Sequence, residues 1–72
     1  MHEIRAEITA NVWQVRAEVG SLVAEGDEIV VLESMKMEIP VITEVPGVLR
    51  ELFVEEGGSV QEGDLIAYID ES

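Results

Sequence analysis

The sequence predicts an all-β fold, a small sandwich or flattened barrel with approximate two-fold symmetry. Three observations carry this. Apolar residues alternate with polar ones or run in short blocks, and no stretch sustains a helical period. Turn signals built on Gly, Pro and Asp recur at regular intervals, as in all-β domains. The chain also repeats itself without a gap: Gly20 matches Gly57, Gly26 matches Gly63, Asp27 matches Asp64 and Ile29 matches Ile66. Glu7 and Glu44, Glu18 and Glu55, Val23 and Val60, and Glu25 and Glu62 fall at the same offset. Two similar halves imply a symmetric body, with their junction at one end and the two termini at the other.

The elements follow in order. Glu3 to Ile8 reads as a short strand in which Ile4, Ala6 and Ile8 alternate with charged residues. Asn11 to Val19 reads as a second, with Trp13, Val15, Ala17 and Val19 on one face. Gly20-Ser21 marks a turn, and Val23 to Asp27 marks another in which Gly26 is free to take positive φ. Glu28 to Glu33 is apolar on both faces, as a strand in a sandwich interior or at a tightly curved edge would be. Met37 to Thr43 contains Pro40, which cannot donate to a ladder, so this strand belongs at an edge or carries a bulge. Pro46-Gly47 fits a type II turn, and Val48 to Glu55 forms the next strand. Gly57-Gly58 and Gly63-Asp64 repeat the earlier turns, and Leu65 to Asp70 mirrors the segment beginning at Ile29.

Bulk properties limit the functions open to such a chain. Its 72 residues make one small domain spanning 1–72, and Met1 together with the close at Asp70-Glu71-Ser72 is what a complete small protein would show. A chain this short buries only about 60% of its unfolded surface, so its core is small. It has no cysteine, hence no disulfide or thiolate metal site to supplement that core. A formal net charge of -12 repels phosphate backbones and anionic lipids, which argues against nucleic-acid and membrane partners. With no spanning-length apolar run and no basic-then-apolar leader, a cytoplasmic location is the expectation.

Reactive groups are few. His2 lies at the fraying N-terminus, and acidic pairs such as Asp27-Glu28 and Glu55-Glu56 sit at turns where solvation is their ordinary state. No calcium-loop spacing or phosphate-cradling loop is present. A non-catalytic protein, acted upon by enzymes, is the expectation. Lys36 stands apart as the only lysine. It lies between the apolar runs Ile29-Val30-Val31-Leu32 and Ile39-Pro40-Val41-Ile42, which read as a hairpin with the lysine at its tip. A lone lysine in an acidic chain is ordinarily a solvated surface charge, and its two methionine neighbours could fold back onto the core. The turn itself does not need two large apolar residues, however, and flexible thioethers suit a recognition surface.

The stretch Glu33-Ser34-Met35-Lys36-Met37 resembles the attachment motif of the biotinyl (biotin carboxyl carrier) domains, Glu-Ala-Met-Lys-Met with variation at the second place. The resemblance runs over essentially the whole chain, through the Glu-Gly-Asp turns at Gly26-Asp27 and Gly63-Asp64 and the Pro46-Gly47-Val48 step. It implies a flattened β-barrel of two antiparallel four-stranded sheets related by a quasi-two-fold axis. It further implies that a biotin protein ligase biotinylates the Lys36 amine through a biotinyl adenylate. Met35 and Met37, with Glu33, Ser34 and Glu38, then form the recognition context. Partners implied are the biotin carboxylase and carboxyltransferase components of an acetyl-CoA, acyl-CoA or pyruvate type of carboxylase, the carrier itself being a monomer. Two departures stand out. Ala10-Asn11 replaces a glycine usual in the first half, and the protruding loop insert of some bacterial carriers is absent.

Two other readings compete. Lipoyl domains share this fold and modify a hairpin lysine, usually within Asp-Lys-Ala, so Met35 and Met37 favour biotin over lipoate. An acidic interaction module without cofactor is the third. A free lysine amine, with a pKa of about 10.4, is protonated at neutral pH, so modification requires a ligase that removes the proton.

Overall fold

The computed structural model describes residues 1–71, which form eight strands and no helix. They are β1 (His2–Arg5), β2 (Ala10–Val15), β3 (Leu22–Val23), β4 (Glu28–Ser34), β5 (Met37–Ile42), β6 (Gly47–Leu52), β7 (Ser59–Val60) and β8 (Leu65–Glu71). One antiparallel sheet has the order β1-β8-β6-β3 and the other β5-β4-β2-β7. Shifting by the repeat offset converts one order into the other, strand for strand.

The symmetry extends to single bonds. Ile4 faces Ala67 as Val41 faces Val30, and Val12 faces Leu32 as Leu49 faces Ile69. Gly26 N–H donates to the Thr43 carbonyl as Gly63 N–H donates to that of Ala6, both at 2.8 Å. The Asp27 carboxylate accepts from Ala24 N–H, and Asp64 from Gln61 N–H. These turns require Gly20, Gly26, Gly57 and Gly63 at φ near +90°, a region closed to most side chains, which explains why the glycines repeat.

Ile29, Leu32, Leu49, Ile66 and Ile69 are the largest fully buried side chains, drawn from both halves. Each contributes about 1.5–3 kcal/mol on burial. As expected, β4 is buried on both faces from Ile29 to Leu32, and β5 with Pro40 is an edge strand.

Four expectations are corrected. The face assigned to Trp13, Val15, Ala17 and Val19 is broken by a bulge: Val12 faces Leu32 but Gln14 faces Val31, leaving Trp13 as the extra residue. Parity changes there, so Ala10 and Val12 enter the core before it, Val15 and Ala17 pack against the core after it, and Trp13 and Val19 remain exposed. Leu22–Val23, of which Val23 reads in sequence as the start of a turn, and Ser59–Val60, between two turn signals and in no expected strand, make two-residue edge strands. Strands expected to reach Ile8, Val19 and Glu55 end at Arg5, Val15 and Leu52, after the irregularities in their ladders. Finally, Pro46-Gly47 is no type II turn, since Gly47 lacks positive φ. Gly47 opens β6, and its missing side chain admits the backbone of Asp70 and Glu71.

Candidate functional site

The hairpin between β4 and β5 places Lys36. Strand pairing runs Leu32 with Ile39, Glu33 with Glu38 and Ser34 with Met37, leaving a two-residue loop of Met35 and Lys36. Both have positive φ, 52° and 65°, as a type I′ hairpin turn demands. Such turns favour Asn-Gly, because a side chain in this region costs about 1–2 kcal/mol per residue. The loop is therefore strained at two successive residues. It persists because β4 beneath it is locked in the core, with Leu32 buried and Ile39 packed against the same cluster.

Both methionines point away from that core. Met35 is 92% exposed and Met37 62%, and neither joins the core cluster or the residues packed against it. Lys36 is exposed between them. The three arginines are in ion pairs, Arg5 with Glu3 at 2.8 Å, Arg16 with Glu28 and Arg50 with Asp70 both at 3.8 Å. Among the described residues Lys36 is in none, leaving its ammonium without a carboxylate partner. Glu33 and Glu38 instead face one another across the ladder. Like charges directly opposite destabilise a strand pair, so this acidic pair does not serve the fold.

The structure thus brings all six sequence-predicted residues, Glu33 to Glu38, to one exposed end of the molecule. The chain termini take the symmetric place. Glu71 ends β8 where Ser34 ends β4, and His2 pairs with Ile69 as Ile39 pairs with Leu32. Sequence reasoning missed a shallow cleft beside the turn, formed where Thr9, Asn11, Ser59 and Gln61 approach Ser34 and Met35. Those residues come from both halves of the chain, and only the pairing of β7 with β2 joins them.

What the geometry offers is a single primary amine on a rigid, strained tip, flanked by thioethers and backed by carboxylates. Among the described residues only the open cleft adjoins it, with no nucleophile–base pair. Such an arrangement suits an amine presented to another protein, and comparison with known proteins identifies the family. The sequence profile described as "Biotin-requiring enzyme", that of the biotin/lipoyl family, matches residues 3–69. The chain is 48% identical over 67 residues to a biotinylated protein TB7.3 homolog of Mycobacterium leprae, covering 93% of this chain and 94% of that one. Among solved structures, the Kluyveromyces lactis urea carboxylase superposes with a TM-score of 0.90 at 32% identity, over 96% of this chain but only 6% of that enzyme. The lipoyl domain of the 2-oxoglutarate dehydrogenase complex from Azotobacter vinelandii gives 0.82 at 27% identity, over 96% and 95% of the two chains. Strand order, attachment-type hairpin and these similarities lead to one conclusion: the chain belongs to the biotin/lipoyl attachment family, as a carrier rather than a catalytic domain.

Proposed function

We propose that this protein is a biotin carboxyl carrier, biotinylated on Lys36 by a biotin protein ligase and serving a biotin-dependent carboxylase. One observation carries the reading. The only lysine of the chain occupies the strained tip of the hairpin, between two methionines that the fold leaves in solvent. Exposed apolar side chains on a rigid turn have a use when a partner covers them. The name of the Mycobacterium leprae relative and the matching segment of urea carboxylase support biotin and a carboxylase setting.

The residues fit the group. Lys36 is exposed and in no ion pair among the described residues, so its amine is accessible once deprotonated. Attack of the neutral amine on the acyl carbon of a biotinyl adenylate forms an amide, expels adenylate and releases the second amine proton to the ligase. Met35 and Met37 supply apolar contact to that partner, while Glu33, Ser34 and Glu38 give it charge and hydrogen bonds to read. When bound, biotin carries carboxylate between the carboxylase and carboxyltransferase sites. Its arm with the lysine side chain extends about 15 Å, summing standard bond lengths. The stiff β-body keeps the base of that arm fixed, and the tether raises the local concentration of the head at each site.

A lipoyl carrier is the second reading, favoured by the close superposition on the Azotobacter vinelandii lipoyl domain. Co-expression with a biotin protein ligase, followed by intact-mass measurement and streptavidin blotting, separates the two. A biotin-sized adduct on the native chain, absent from Lys36→Arg, is expected. A lipoyl-sized adduct, or label surviving Lys36→Arg, overturns the reading.

A further inference from the structure

The tandem symmetry gives each position in the fold an internal control. Beside the lysine turn lies the cleft of about 310 Å³ noted above, at the small end of ligand clefts, which span about 300–1,000 Å³. Its base follows from strand register. Glu38 faces Glu33, Glu33 faces Asn11, and Asn11 faces Ser59, so one row of polar side chains crosses β5, β4, β2 and β7 on a single face. Thr9 and Gln61 flank that row.

At the opposite end of the molecule, the equivalents of Thr9, Asn11, Ser59 and Gln61 are Pro46, Val48, Leu22 and Ala24. The backbone there is the same, for Leu22 pairs with Val48 as Ser59 pairs with Asn11. Each of these four neutral hydrogen-bonding side chains at the lysine end is thus answered by an apolar one at the other end, while Ser34 at the turn is answered by Glu71. Leu22 is even tolerated at 80% exposure. The fold therefore does not require polarity at these four places. Nor do the four side chains bond to the protein, since none has a side-chain hydrogen-bond partner among the described residues.

Resting on the biotin reading above, we propose that this row is a docking site for the ureido head of the biotinyl group on Lys36. A cyclic urea presents two N–H donors and one carbonyl acceptor. Asn11, Gln61, Thr9 and Ser59 can answer both kinds, and Glu33 accepts from an N–H. The distance is right. From the turn, the far side of the row is about two residue rises and two strand spacings away, roughly 12 Å. An arm of about 15 Å covers that. A tether of this length supplies an effective concentration on the order of millimolar, so contacts too weak to bind free biotin still hold the head for much of the time. The site withdraws the cofactor from solvent between transfers and yields it readily to a partner. A dithiolane head, with no N–H or carbonyl, gains nothing there.

Amide proton–nitrogen NMR spectra of the unmodified, biotinylated and lipoylated protein test this, with intact mass confirming each adduct on Lys36. Biotinylation is expected to shift the amides of Asn11, Ser59 and Gln61 as well as the turn. Lipoylation is expected to shift the turn alone. In Asn11→Val/Ser59→Leu, which installs residues the fold already holds at the equivalent places, the cleft shifts are lost. Asn11→Val alone provides the test if the double variant does not fold. Shifts confined to residues 34–38 in fully biotinylated protein, equal shifts with lipoate, or shifts surviving in the variant overturn the docking site. A chain that takes no biotin adduct overturns the carrier reading along with it, so the two failures are told apart by mass.

Discussion

Replacing Met35 and Met37 together by alanine separates what the fold needs from what a partner needs. In the isolated chain the two side chains are 92% and 62% exposed, so their truncation removes little packing. Met and Ala both carry a Cβ, so the cost of positive φ at position 35 is unchanged. The expected stability change is within about 0.5 kcal/mol, the usual range for surface substitutions. For a domain of this size that is a Tm shift of no more than about 4 °C. Binding is different. Truncating methionine removes two carbons and a sulfur, worth about 2 kcal/mol per residue if a partner buries them, at about 0.8 kcal/mol per methylene-sized group. Partial burial of the pair still costs about 1.4 kcal/mol, a tenfold effect. The double variant is therefore expected to keep its thermal midpoint while kcat/KM for ligase modification, or for carboxyl transfer to the loaded carrier, falls at least about tenfold. A Tm drop beyond about 8 °C would make these core residues, and an unchanged kcat/KM would remove them from recognition.

The remaining predictions concern the body of the domain and its amine. Gly47→Ala places a methyl against backbone atoms of Asp70 and Glu71, which cannot swing aside as a side chain would, so β6 must part from β8. Urea denaturation is expected to show a loss of about 2 kcal/mol or more, within the range for overpacking; a loss too small to resolve refutes the close approach. Ile29→Val and Ile66→Val remove the same group from equivalent, fully buried positions. Each is expected to cost about 0.5–1.5 kcal/mol, and the two costs agree if the halves share one core; a severalfold difference in denaturation would refute that. Purified protein incubated with biotin and ATP but no ligase is expected to stay unmodified by intact mass, since no carboxylate among the described residues pairs with Lys36 to take its proton. Rapid self-labelling would contradict this.

Much of this architecture can be read along the chain. The repeat of Gly20, Gly26, Asp27 and Ile29 in Gly57, Gly63, Asp64 and Ile66 determines a two-fold body, because positive-φ turns and buried aliphatics leave strong local marks. The isolation of Lys36 between apolar runs determines the hairpin and its exposed amine for the same reason. Other features were decided only by tertiary structure. The bulge at Trp13 reverses the face of β2, and β3 and β7 exist only because β6 and β2 lie beside them; neither leaves a periodic trace in its own sequence. Gly47 reads as a turn residue locally, yet it is glycine because another strand passes close by. The polar row beside the lysine belongs to this second kind. Glu38, Glu33, Asn11 and Ser59 are scattered along the chain, and hydrogen bonding between four strands is what sets them side by side.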